Sequence, residues 1–111
     1  MSVSQTIREA AEYIEQHGMA KGCLKTSDGR ACMIGAIQAV AGETAAYGSL
    51  GPGVALDNWF RRAHGLGEYT DSGKGWFLRP TAHMNDQPET TQEDVLLWMK
   101  KAAADYEEEG L

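Results

Sequence analysis

The pattern of apolar positions is most distinctive between Cys32 and Ala41, where Gln38 is the only polar side chain. A helix that is apolar on all sides must be buried on all sides. We therefore predict that this segment is the central helix of the fold and that the other helices pack around it. The thiol of Cys32, at the start of the helix, is expected to lie in the core.

Three other segments carry apolar side chains on one face only, at the spacing of an amphipathic helix. They run from about residue 4 or 6 to 16, from about 54 to 64 and from 91 to about 106. The pairs Thr6 with Glu9 and Thr91 with Asp94 have the spacing of N-terminal caps. In the middle segment the spacing turns one set of side chains inward (Leu56, Trp59, Phe60, Ala63) and another outward (Asp57, Asn58, Arg61, Arg62). Pro80 predicts a further short helix that ends near residue 85.

Turn-forming residues separate these helices. The Asp28-Gly29 pair favours a tight reversal and predicts a short β-hairpin near residues 23–32. Residues 42–53 are rich in glycine and are predicted to form a loop, and residues 66–75 a mobile surface loop. A frayed acidic tail is predicted over about 107–111, because negative charge at a helix C-terminus opposes the helix dipole. The expected fold is mainly α: a single, compact helical domain over residues 1–111 around a buried central helix.

The charge balance restricts the class of partner. Sixteen acidic against ten basic residues give a net charge of −6, which repels a phosphate backbone, so no direct nucleic-acid binding is expected. Acidic mimicry of a nucleic acid stays open as a weaker alternative. No apolar run is long enough to cross a membrane, and a cytoplasmic location is expected. Because the histidines are scattered and the two cysteines lack ligand spacing, we predict no metal and no cofactor.

Two groups of residues match a known pattern. The first is Asp28-Gly29-Arg30, Cys32 and Gly35-Ala36, and the second is Met84-Asn85-Asp86, Pro88, Thr91, Glu93, Asp94 and Val95. Over nearly its whole length the chain thereby resembles the uncharacterised family of small actinobacterial and actinophage proteins known as domain of unknown function 6197. Met84 and Met19 stand where that family has tryptophan. The resemblance implies a phage or actinobacterial origin, with a phage protein acting in the host cytoplasm, and it brings no activity with it.

Two functions of different classes follow from the residues. The first is a non-enzymatic accessory domain that binds a host or phage protein, or itself, through Leu66, Tyr69 and Leu97, which the pattern leaves without a buried face. The alternative is a thiol-dependent hydrolase or transferase. In that case Cys32 is the nucleophile at a helix N-terminus, His83 is its base, and Asn85 or Asp86 orients the base.

Overall fold

Six α-helices make up most of the described chain. The computed structural model describes residues 2–65 and 79–111. The helices are α1 (Val3–His17), α2 (Met33–Ala41), α3 (Glu43–Tyr47), α4 (Pro52–Ala63), α5 (Pro80–Asp86) and α6 (Gln92–Glu108). The mainly α fold is therefore confirmed. The loop predicted over residues 66–75, with Leu66 and Tyr69, lies outside the described residues.

The central position of α2 is confirmed for its first half. Residues 33–37 are all buried, and α2 packs against α1, α3, α4 and α5. The last helix, α6, instead packs mainly against α1, which thus lies between α2 and α6. The expectation of burial on all sides is wrong beyond Ile37: Ala39 is exposed, and Gln38, Val40 and Ala41 are half-buried. The second half of α2 therefore presents apolar side chains near the surface.

The helix ends follow local capping chemistry, with one correction. The first helix begins at Val3, because the hydroxyl of Ser2 accepts a hydrogen bond from the Gln5 amide at 3.1 Å. Thr6 is buried inside α1, so the cap predicted at Thr6 is wrong. The cap at Thr91 is confirmed, because Thr91 and Asp94 each accept a hydrogen bond from the other's amide. Beyond α6, the carbonyl of Leu111 accepts a bond from the Ser4 amide at 3.3 Å; fraying of this tail stays a prediction.

The segment 42–53 is a loop only in its second part. A loop was expected throughout, whereas Glu43–Tyr47 form α3. The sequence between Gly42 and Gly48 contains no glycine or proline, so nothing interrupts one and a half turns of helix there. Gly42 has φ +91°, a conformation that glycine adopts readily, and it serves as the junction between α2 and α3. The fourth helix begins at Pro52, which suits the first helical position.

Residues 18–32 form a turn-rich connection in place of a regular hairpin. The reversal predicted at Asp28-Gly29 is present, with the Thr26 amide bonded to the Arg30 carbonyl at 2.8 Å. Within the described residues the pairing is limited to isolated bridges from Ala31 to Lys25 and to Met19. This connection lies directly against α2, because a Cβ at Gly35 would overlap the carbonyl oxygen of Leu24. The backbone at Leu24 can therefore contact α2 directly at Gly35.

We expect Gly35→Ala to lower the free energy of unfolding by about 3 kcal/mol or more, because neither the helix nor the backbone of Leu24 can give way without losing core contacts. Ala39→Gly, at the exposed end of the same helix, is the matched control, with an expected loss of about 1 kcal/mol. Chemical denaturation of both variants measures the difference. A loss for Gly35→Ala no greater than that of the control would contradict the close approach.

Candidate functional site

Cys32 lies where a catalytic thiol was predicted, at the N-terminus of α2, but its surroundings suppress reactivity. The side chain is fully buried, and its Sγ accepts a hydrogen bond from the Gly35 amide at 3.3 Å. Burial raises the pKa of this thiol to about 11, because desolvation of the thiolate outweighs the backbone amides that favour it. Near neutral pH the sulfur therefore stays protonated, and a protonated thiol is a weak nucleophile.

His83 is not placed to act as a base for that thiol. Its side chain is exposed, and the polar contacts of its ring within the described structure are with the amide of Gln87, one turn further on. The negative charge of Asp86 adds to the rise in the pKa of Cys32. A carboxylate at this position therefore works against thiolate formation.

Asn85, which was predicted to orient the base, instead ties three segments together. Its side chain is fully buried. Its Oδ1 atom accepts a hydrogen bond from the Met33 amide at 3.2 Å, and its Nδ2 donates to the Ala20 carbonyl and to Asp86 Oδ1, each at 2.9 Å. The Met33 amide is among the first of α2 and has no acceptor within its own helix. Asn85 therefore supplies a cap to α2 from a residue 52 positions away.

The end of α5 and the residues that follow it, up to the start of α6, bind the first part of the connection between α1 and α2. Asp86 Oδ1 accepts a hydrogen bond from the Gly22 amide at 3.0 Å. Lys21 Nζ donates to the Gln87 carbonyl at 2.6 Å, and Gln92 Oε1 accepts from the Met19 amide at 3.0 Å. Residues 19–22 are thus bonded to residues 85–92 at four successive points. These contacts give the Asn85-Asp86 pair a structural role.

Asp57 was predicted to face outward and is instead buried in an ion pair. Its Oδ2 accepts a hydrogen bond from Arg79 Nε at 2.8 Å, and its Oδ1 accepts one from the Thr81 amide at 3.0 Å. Arg79 is itself buried, and its guanidinium lies over the ring of Tyr47. Helical spacing could not reveal this pair, because the partner cation lies 22 residues away. The pair joins α4 to the start of α5.

The most exposed large apolar side chain of the described residues belongs to Leu50, in the turn between α3 and α4. It is 95 % exposed. Leu50 borders two concavities that share Ser49, Leu50 and Gly51. We call Leu50 and these two concavities together the Leu50 surface. The sequence offered one signal for it, a leucine standing alone among Gly48, Ser49, Gly51 and Pro52.

The larger concavity of the Leu50 surface is an uncharged groove of about 860 Å³. It lies between the exposed second half of α2, α3 and the turn before α4. Its lining includes Thr6, Val40, Ala41, Thr44, Ala45 and Pro52, and none of the described residues that line it is charged. In a chain in which 23 % of residues are charged, a concavity without charge is suited to an apolar side chain.

The smaller concavity, a cleft of about 540 Å³, carries charge of both signs. Arg61, Arg62 and Glu109 line it together with apolar side chains such as Val3 and Val54. Arg61 donates to Asn58 Oδ1 at 2.9 Å and Arg62 to the Tyr106 hydroxyl at 2.9 Å. The ion pairs found among the described residues involve other side chains, which leaves both guanidinium groups without a carboxylate there.

Of the remaining sequence-predicted residues, only Leu97 lies in the described part of the chain. Leu97 lies on α6, is 51 % exposed and is not among the residues that line either concavity. Leu66 and Tyr69 lie outside the described residues. In residues 2–65 and 79–111, no three His, Cys, Asp or Glu side chains are grouped as metal ligands. None of the helices described is both long enough and apolar enough to span a membrane.

We expect iodoacetamide at pH 8 to leave Cys32 unmodified in the folded protein, because the thiol is buried and its pKa is about 11. Cys23 is partly exposed and serves as the internal comparison. Peptide mass spectrometry before and after unfolding in denaturant reads both sites. The Cys23→Ser variant then reports Cys32 alone, and rapid labelling of that variant in the folded state would contradict the description of an inert thiol.

Comparison with known proteins identifies the family but no relative of known activity. No curated protein and no solved structure shows significant similarity to the chain. The model of a family of unknown function, DUF6197, matches residues 1–105. This match includes both groups of residues that carry the resemblance noted in the sequence, from Asp28 to Ala36 and from Met84 to Val95. The chain therefore belongs to the family DUF6197.

Proposed function

We propose that the chain is a non-enzymatic protein-interaction domain that binds its partner through the Leu50 surface. The observation that carries this proposal is the 95 % exposure of Leu50 beside an uncharged groove. Single exposed apolar residues are common on proteins and need no explanation. An exposed leucine that adjoins an uncharged concavity differs, because a partner can bury both in one contact, and a buried leucine contributes about 2 kcal/mol to binding.

The chemistry of the buried thiol favours binding over catalysis. A nucleophilic cysteine needs access to substrate and a lowered pKa. Cys32 is fully buried and its pKa is raised. The polar residues proposed to assist it, Asn85 and Asp86, are already engaged with backbone amides of the neighbouring connection. No observation favours the thiol-dependent alternative.

The family resemblance also supports a proposal about the cellular location and the source of the protein. We place the domain in the cytoplasm, as an accessory protein of an actinobacterium or of a phage that infects one. The support for this setting is the similarity of the Asp28-Gly29-Arg30 and Asn85-Asp86 segments to that family. Leu97 is half-exposed on the outer face of α6 and stays a second candidate contact.

The proposal predicts that Leu50→Glu abolishes partner capture without unfolding the domain, because the side chain is solvent-exposed in the free protein. Wild type, Leu50→Glu and Leu97→Glu are used as baits in a lysate of the source organism, and bound proteins are quantified by mass spectrometry. Circular dichroism confirms that the three baits are folded.

Proteins retained by wild type and by Leu97→Glu, but lost with Leu50→Glu, are the expected result. Retention of the same proteins by Leu50→Glu would overturn the assignment of the Leu50 surface. Loss with Leu97→Glu alone would move the binding site to α6.

A further inference from the structure

Resting on the proposed function, we infer that the partner of the Leu50 surface is a second copy of this chain, in a two-fold dimer in which Leu50 of each copy occupies the uncharged groove of the other. In a two-fold interface, the same patch on both subunits must be complementary to itself. A protruding side chain next to a concavity of matching chemistry meets this requirement. Leu50 and the groove are adjacent, since Leu50 itself forms part of the groove's edge.

The shape of the surface supports reciprocal seating. Leu50 projects almost completely into solvent, and the groove beside it is lined by small or short side chains such as Ala41, Thr44 and Ala45. If a two-fold axis passes between Leu50 and the neighbouring groove, Leu50 of each copy lies over the groove of the other copy. One rotation therefore buries two leucines, and the contact closes after two copies.

The charges of the Leu50 surface are compatible with the same occupant. The net charge of −6 makes two copies repel at long range, yet the groove and the side chain that would enter it are both uncharged. The adjoining cleft carries Arg61, Arg62 and Glu109, so it offers both signs within one surface. A surface of a single sign repels its own copy, whereas a surface of mixed sign can pair with it. At physiological salt, charges farther apart than about 8 Å are largely screened, which removes most of the long-range repulsion.

Sedimentation equilibrium of the full chain, at physiological salt and up to about 1 mM protein, tests the dimer. Wild type is expected to dimerise. Leu50→Lys and Thr44→Glu are each expected to weaken dimerisation by about a hundredfold or more, because every homodimer contains the substitution twice and each lost leucine contact costs about tenfold. Thr44 is exposed, as Leu50 is, so both variants should keep the fold, which thermal unfolding verifies. Ala104→Lys, at an exposed position of α6 that lines neither concavity, is the control and should dimerise as wild type does.

The most specific test mixes the two variants that are expected to be monomeric, Leu50→Lys and Thr44→Glu. In the mixed pair the new lysine faces the new glutamate at one contact, and the other contact keeps the native Leu50 and Thr44. Equimolar Leu50→Lys and Thr44→Glu are therefore expected to form a heterodimer that neither forms alone.

Three results would overturn the inference: a wild type that stays monomeric throughout, dimers that persist in both single variants, or a mixture that stays monomeric. A monomeric wild type overturns the dimer but does not by itself overturn the proposed function. If that monomer still captures another protein through Leu50 in the bait experiment, the Leu50 surface binds a different partner. Loss of both the dimer and the Leu50-dependent capture overturns the proposed function as well.

Discussion

The hydrogen bonds of one buried amide, that of Asn85, are the constraint on which the arrangement of the first two helices and of the connection between them depends. The backbone of the connection between α1 and α2 pairs with itself only at isolated points, around Ala31 and across the turn at Asp28-Gly29. Unpaired backbone groups at a buried position cost about 1–3 kcal/mol each. Asn85 provides such partners from α5, because its side chain pairs the buried Ala20 carbonyl and caps α2 at the buried Met33 amide. The position of α2 is therefore set by a residue distant in sequence as well as by its own apolar character.

The close approach at Gly35 acts together with this amide. Because Gly35 has no side chain, the backbone at Leu24 can lie directly against α2, and the Cys32 amide donates to the Leu24 carbonyl at 3.1 Å. The connection thus covers the start of α2 on one side while α1 covers another. This packing buries Cys32 and raises the pKa of its thiol. The geometry that completes the core thus keeps the Cys32 thiol inaccessible and protonated.

Local signals predicted most of the fold. The apolar stripes of α1, α4 and α6, Pro80 at the start of α5 and the cap at Thr91 all act within one or two turns of helix, so the sequence reveals them. The features that the sequence did not reveal depend on contacts between residues far apart in the chain. Asp57 is buried because Arg79 reaches it, and periodicity alone assigns a carboxylate to the outer face. The apolar pattern correctly predicted that Cys32 is buried, but it could not show that Asn85 is bonded to Met33, 52 residues away.

The candidate binding surface was missed for a related reason. Leu50 lies in a turn, where helical spacing carries no information about burial, and the groove beside it is assembled from α1, α2, α3 and the start of α4. The exposed second half of α2 links the fold to the candidate binding surface. A helix with an apolar surface on all sides was expected to be fully covered, and the part that its own chain leaves uncovered borders the surface that we propose binds a partner.

Native-state hydrogen exchange of the Met33 amide, followed by NMR in wild type and in Asn85→Ala, tests the role of the Asn85 amide most directly. In wild type this buried amide should exchange as slowly as the core of α1, with Ile14 as the reference. In Asn85→Ala it should exchange faster than Ile14 by a factor that the loss of global stability does not explain. Unchanged protection of Met33 relative to Ile14 would contradict the account.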